Sequence, residues 1–544
     1  MRGLIDKILT IELSLDASVP ERFFRPLEKH LFLLVCIVLS LISISSFYYF
    51  HENNLTLAYN DARSHLNIGR RVVEGLKPGI AQLGSVWLPL PHVLMIPTIW
   101  NDFMWHTGLA GASVNMIAFV ITGMFIFLYL KELKVGTLGK VSAVLVFILN
   151  INILYLQSTA MTELLLILTM TASCYEMMQY FKKDDILHLI RGAFWIMLTT
   201  LTRYDGWFLL AVSSFLIALK TLRKRDYKTT EGTLLLFCTL AGLGVVMWFA
   251  WNLLIFKDPF YFAFGPFSAK AQQDQIESSG MLITKGDWFQ SFKFYLYALM
   301  FNSGAFQTLL TFFGFFILWK DKKVIADIKM SSVLLLSPLI FNILALYLGH
   351  SVLFIQGLSG NTWFNVRYGV LLAPTIAIII GFTIDRLKAV RLPLIGLLTL
   401  VTFFSFTSFD AVTIDDARVG SSQKNVAEVS GWLSEHAKNE KGFILISAAS
   451  HDAIIFSSGL PMKRFIHEGT GLYWESATSL PDRWARWIIM RTHDDNDLTF
   501  KLVKLTPGLE RYNKVGSFPF ADIYEIKPEY VSQLNTEPIL GKQK

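Results

Sequence analysis

Two carboxylates stand where an acid is costly. Asp61 falls in Tyr59-Asn60-Asp61-Ala62-Arg63-Ser64-His65, at the head of an amphipathic run. Glu163 closes Gln157-Ser158-Thr159-Ala160-Met161-Thr162-Glu163 and leads into the apolar run 164–168. A carboxylate entering an apolar segment is expensive and usually faces a bundle interior or a wet cavity. Held beside a hydroxyl, such a group can act as a general base. The plainer role is capping, because a side-chain oxygen at a helix start satisfies free amides, and both positions suit it. Two arginines supply the opposite charge. Arg203 sits in Thr202-Arg203-Tyr204-Asp205-Gly206-Trp207, and Arg367 in Asn365-Val366-Arg367-Tyr368. The guanidinium fork matches a phosphate bidentately. Internal pairing explains Arg203 as simply, with Asp205 or Asp61 as partner, and snorkelling explains Arg367 near a span end. Tyr204, Asp205, Tyr368, His65 and His92 complete the candidate binding set. A lone His in a Pro-rich apolar helix is more often a packed residue, and no H-x-x-x-H or D-x-D spacing lies near either histidine. No metal site is therefore indicated, although a divalent cation is compatible with the chemistry.

These groups need elements to hold them. The 544 residues are 53% hydrophobic and 17% charged, with mean hydropathy +0.46. A soluble protein is closer to a quarter charged. The apolar residues come in runs that stop near residue 408, the pattern of a mainly α, polytopic membrane protein with a soluble tail. Eleven spans are expected: 30–50, 108–130, 139–160, 162–181, 186–202, 206–222, 232–256, 302–319, 331–350, 367–384 and 392–409. The segment 86–104 carries Pro89, Pro91 and Pro97 and reads as a juxtamembrane or re-entrant helix. The first span follows Arg2, Lys7, Arg22, Arg25 and Lys29 without a cleavage site, as an uncleaved signal anchor does.

The net charge of +7 suggests nucleic acid, but the distribution argues against it. Most Lys and Arg of the short connections lie in 131–138, 182–191, 220–231, 319–330 and 385–391. The positive-inside rule then puts the N-terminus in the cytoplasm. It puts 51–107, 257–301, 351–366 and the tail outside, in a plasma or inner membrane. Helix 60–73 reads as interfacial, with Arg70 and Arg71 toward head groups. The aromatic stretch 258–266 reads either as an interfacial belt or as a wall for a lipid-borne substrate.

Two domains follow: 1–409, a transmembrane catalytic module whose first outer loop is 51–107, and 410–544, a soluble extracytoplasmic α/β domain. In the tail, 423–438 and 497–505 carry helical spacing. The segments 442–447, 463–467, 484–490 and 522–526 read as strands. There is no Gly-rich phosphate loop and no internal repeat.

At these residues the chain resembles the GT-C superfamily of integral-membrane glycosyltransferases. The nearest likeness is to the group holding protein O-mannosyltransferases and the aminoarabinose transferase of lipid A. Asn60-Asp61-Ala62-Arg63 through Val73-Glu74-Gly75 looks like that group's acidic juxtamembrane helix, and Trp87-Leu88-Pro89-Leu90-Pro91-His92 like its Pro-rich segment. Glu163, the turn Thr202–Gly206 and the pair Arg367-Tyr368 ahead of Pro374 match in order. The chain departs where the group often has Asp-Glu (here Asp61-Ala62) and where a lysine precedes its Pro-Pro pair (here Ser85-Val86-Trp87). The resemblance implies transfer of a hexose or pentose from a polyprenyl-phosphate donor to an extracytoplasmic glycan, lipid or protein. Asp61 and Glu163 would be catalytic, with Asp61 the base, and Arg203 and Arg367 would hold the donor phosphate. A transporter or flippase of a lipid-linked sugar is the alternative.

Overall fold

The computed structural model describes residues 30–265, 268–278, 280, 282–409, 411–420 and 425–536. The basic residues Arg2, Lys7, Arg22, Arg25 and Lys29, and also Pro266 and Asp410, lie outside the described residues. The chain forms two compact units. The first comprises 30–56, 88–91 and 112–420, and the second 57–87, 92–111 and 425–536.

The first unit is helical because in hydrocarbon only a helix satisfies each backbone group within one segment. Among the described residues, seven helices are long and apolar enough to cross a membrane. They include Leu31–Glu52, Leu109–Glu132, Asp205–Lys224, Tyr227–Phe256 and Val366–Arg386. An eighth appears if Trp288–Ser303 and Ala305–Lys320, bent by 112° at Gly304, form one span. This is a multi-pass membrane protein. The expected span 139–160 is two helices, Thr137–Ile148 and Ile151–Leu156, broken at Asn150, whose side chain caps the second. The span 186–202 is the shorter helix Ile186–Thr200, and 162–181 is Glu163–Lys183. Helix Glu163–Lys183 is buried on nearly every face, the signature of a helix at the centre of its bundle.

Close backbone approach fixes part of this packing. A methyl group added at Gly139 would lie 2.6 Å from the carbonyl oxygen of Gly381, and one at Gly381 equally close to that of Gly139. Small residues let helices Thr137–Ile148 and Ala373–Arg386 touch backbone to backbone. Gly381→Val should therefore destabilise the unit by about 1–3 kcal/mol. Thermal unfolding of the solubilised protein reads this as an earlier transition, and an unchanged one would mean the helices part without cost.

The second unit is an α/β domain. Its strands are β1 (Phe443–Ile446), β2 (Phe465–Ile466), β3 (Ala485–Met490), β4 (Tyr512–Ser517) and β5 (Asp522–Ile526), in the order β2-β1-β3-β5-β4. β1 runs parallel to β2 and β3, whereas β5 is antiparallel to β3 and β4. The all-apolar Phe-Ile-Leu-Ile of β1 is buried throughout, as a strand covered on both faces requires. The expected strands and the helices at 423–438 and 497–505 appear, the helices as Ala427–His436 and Leu498–Val503. Strand β4 and helix Ala448–Ser457 were not legible, since neither carries a clean apolar period.

Helix Asn60–Val73 belongs to this unit and packs on helix Ala448–Ser457. Asn67 donates to the Asp452 carboxylate at 2.9 Å and Arg63 to Ser457 at 3.2 Å, while Glu74 accepts from the Met462 amide at 3.0 Å. This corrects the expectation that Arg70 and Arg71 point at head groups. Arg70 is buried, donating to Glu74, Asp102 and the carbonyls of Ile99 and Trp100, and Arg71 pairs with Asp452 at 3.4 Å. The amphipathic face covers protein, which periodicity alone does not distinguish from lipid.

Candidate functional site

The charged centre of the first unit is built on three turns. The turn 157–162 delivers Glu163 into the first turn of its helix. Buried polar bonds hold that turn: Ser43 donates to Gln157 Oε1 at 2.7 Å, and Asn115 donates to the Thr159 carbonyl at 2.8 Å. The turn after helix Ile186–Thr200 carries Arg203 and Asp205. The 3₁₀ turn Val366–Leu372 carries Arg367 and Tyr368.

Glu163 is fully buried, and its Oε1 accepts from Arg203 Nη1 at 3.3 Å and from Arg367 Nε at 3.1 Å. Arg203 Nε reaches Asp205 Oδ2 at 3.3 Å, and Arg367 Nη1 reaches Asp416 Oδ2 at 3.5 Å. The Tyr368 ring lies 4.7 Å from the Arg203 guanidinium and 5.4 Å from that of Arg367, within the range of a cation–π contact. Glu163 Oε2 and Asp205 Oδ1 are buried without a hydrogen-bond partner among the described residues. Spare acceptors on a buried acid favour a ligand that brings a hydrogen-bond donor, such as a hydroxyl. The two arginines differ in access: the Arg203 side chain is 20% exposed and that of Arg367 only 5%.

Glu163, Arg203, Asp205, Arg367 and Tyr368 thus come together. Tyr204 does not share their contacts; its ring stacks on Phe262 at 5.8 Å and meets Trp207 edge-on. Phe262, from the aromatic stretch, also meets Trp248 and Phe249 of helix Tyr227–Phe256. Asp416, on helix Val412–Val419, was missed. Its one signal was the pair Asp415-Asp416 just past the last apolar run, a place that reads as a solvated linker.

Asp61, His65 and His92 belong to the second unit. Asp61 lies half-buried in the first turn of helix Asn60–Val73, whose N-cap residue, Tyr59, has no side-chain bond to the helix amides. The helix start stabilises negative charge there. His65 Nδ1 meets His92 Nε2 at 2.8 Å, both rings are buried, and the Trp87 ring lies tilted against His65 with centroids 4.3 Å apart. One nitrogen of that contact must donate and the other accept. Among the described residues no group of three or more His, Cys, Asp or Glu is placed to hold a metal ion.

Burial raises the Asp452 carboxyl from its ordinary 3.8 to about 6, against the pull of Arg71 and Asn67. The folded state then binds this proton more readily than the unfolded chain, so this group's contribution to stability falls as pH rises from about 4 to about 6. Asp452→Asn mimics the neutral form. Its stability relative to the natural chain should rise across that window and level off above it. Unfolding curves at several pH values check this, and a flat difference would contradict it.

Comparison with known proteins supports the fold-level reading. No family model matches the chain, and no curated protein does. The fold is that of the GT-C integral-membrane transferases. The particular likeness is to two crystal structures of ArnT, the lipid A aminoarabinose transferase, from Cupriavidus metallidurans. The structure bound to undecaprenyl phosphate is 10% identical, with TM-score 0.55, and the match covers 92% of this chain and 98% of that one. The apo structure is 12% identical, with TM-score 0.53 and the same coverage. The GT-C resemblance read from short motifs therefore holds at the level of fold.

Proposed function

We propose that this protein is a membrane glycosyltransferase that moves a sugar from a polyprenyl-phosphate donor to an extracytoplasmic acceptor. The observation that carries this is the buried Glu163–Arg203–Arg367 centre in a bundle of the GT-C fold. The similar ArnT structure holds undecaprenyl phosphate, the class of carrier such a centre would engage. A base takes the proton from the acceptor hydroxyl, and its oxygen attacks the anomeric carbon. The bond from that carbon to the phosphate oxygen breaks, and the phosphate leaves with its negative charge stabilised by arginine. Asp61 is assigned as the base. Glu163 positions the two guanidiniums and offers its second oxygen to the reacting groups. Arg203, the more open arginine, takes the phosphate first, with Arg367 behind it and Asp205, Tyr204, Tyr368, His65 and His92 shaping the binding surface. The positive-inside distribution of Lys and Arg supports a cytoplasmic N-terminus and an α/β domain outside. Transport or flipping of a lipid-linked sugar is not favoured by the fold.

Binding of polyprenyl phosphate to the purified protein, read by native mass spectrometry, tests the arginine assignment. Arg203→Ala should weaken it by roughly 1.5–3 kcal/mol, the scale of a charge-assisted hydrogen bond. Arg203→Lys should recover only part, because a point charge lacks the fork. Wild-type binding by both Arg203→Ala and Arg367→Ala would assign the phosphate to another cation.

A further inference from the structure

The elbow between helices Trp288–Ser303 and Ala305–Lys320 opens a second, uncharged site in the first unit. Gly304 makes the bend with φ +85°, a conformation that favours glycine. A side chain there would also collide with Gln307 Oε1. Beside the elbow lies a cavity of about 530 Å³, within the size range of small-molecule sites. Asn302, Ser303 and Gln307 line it from the elbow, and Phe301, Val401 and Phe404 supply apolar wall. Among the described residues, no charged side chain lines it.

Three oxygens of that lining are buried without a hydrogen-bond partner among the described residues: Asn302 Oδ1, Ser303 Oγ and Gln307 Oε1. Asn302 is 2% exposed and Gln307 8%. The Asn302 amide nitrogen is already committed to the Ala298 and Val366 carbonyls, which leaves its oxygen as a free acceptor. Unpaired buried acceptors cost free energy that a donor would recover. The three residues share one cavity, and the donors to satisfy them would come from a ligand with several hydroxyls seated there. The absence of cations excludes a phosphate as the group bound there. One wall is helix Arg391–Thr407, in which only Leu398 is buried. Its outward Leu400, Phe403 and Phe406 face the lipid, so the cavity lies behind a peripheral helix, within lateral reach of the bilayer.

From this we infer that the elbow cavity binds the uncharged, hydroxyl-bearing head of a membrane amphiphile, its apolar chain running along helix Arg391–Thr407. The inference does not use the charged centre and stands or falls apart from the transfer reaction. The site nevertheless borders that centre: Asn302 bonds the carbonyl of Val366, next to Arg367, and Asn152 accepts from Thr413 at 2.8 Å, three residues from Asp416. A neutral head could thereby be held next to the phosphate-binding groups.

The full-length protein in phosphatidylcholine nanodiscs would be photolabelled with glucosyl-diacylglycerol carrying a diazirine in one acyl chain. Phosphatidylglycerol with the same chain is the control. The glucosyl probe should mark peptides spanning 300–307 and 401–408, and the anionic probe should not. Gln307→Leu should cut this labelling by about fivefold or more, the loss of one hydrogen bond, without lowering the unfolding temperature. Val401→Trp, which fills the cavity from the peripheral helix, should abolish it. Equal labelling by both probes, or labelling that neither variant changes, would mean that water alone satisfies the three oxygens. Full competition by free glucose would overturn the membrane source.

Discussion

Glu163→Ala is expected to destabilise the membrane unit by about 3–5 kcal/mol, because a fully buried site loses the charge-assisted hydrogen bonds from both arginines. Glu163 is the one acid that both Arg203 and Arg367 contact, and it is fully buried. Without it, Arg203 keeps Asp205 and Arg367 keeps Asp416, so the centre divides into two separate pairs. Glu163→Gln preserves volume and one acceptor oxygen and should cost less. Chemical or thermal unfolding of the purified variants measures the order Ala, Gln, wild type. If alanine unfolds like wild type, the arginines are held by other groups and the positioning role of Glu163 is wrong.

Asp61→Asn is expected to reduce sugar transfer by about 10²-fold or more while leaving the fold intact, the usual scale for loss of a general base. The substitution keeps shape and hydrogen-bonding capacity at the start of helix Asn60–Val73 and removes only basicity. A capping role predicts instead that Asp61→Asn, an equally good cap, leaves both the stability of the second unit and the activity per folded molecule near wild type. The two readings of Asp61 thus separate by measuring kcat and the unfolding temperature on the same preparation.

How much of this was legible depended on which force made each element. The membrane helices follow from runs of apolar residues, and these could be read directly. The breaks inside them could not: Asn150 and Gly304 interrupt spans through a side-chain cap and a positive φ, local devices that hydropathy averages away. That Glu163, Arg203 and Arg367 could share one site was partly legible, because ionisable residues at span ends are few and costly; their pairing was not, since Asp205 or Asp61 was the expected partner of Arg203. Neither was their direct contact through one carboxylate oxygen, nor Asp416, since three separate turns must meet to produce it. Helix Asn60–Val73 shows the opposite failure. Its amphipathic period was read correctly and the surroundings of its arginines wrongly, because a helix face packed on protein carries the same period as one laid on lipid.

The central claim is that the arginine–carboxylate centre serves transfer from a phosphate-linked sugar. The most direct test is to incubate the purified wild-type protein with a panel of polyprenyl-phosphate sugars and membrane-envelope acceptors, and to quantify released polyprenyl phosphate by mass spectrometry. The account predicts release that depends on both donor and acceptor, is lost in Asp61→Asn, and is strongly reduced in Arg203→Ala. Movement of intact donor across a sealed bilayer, with no polyprenyl phosphate released under any pairing, would contradict it.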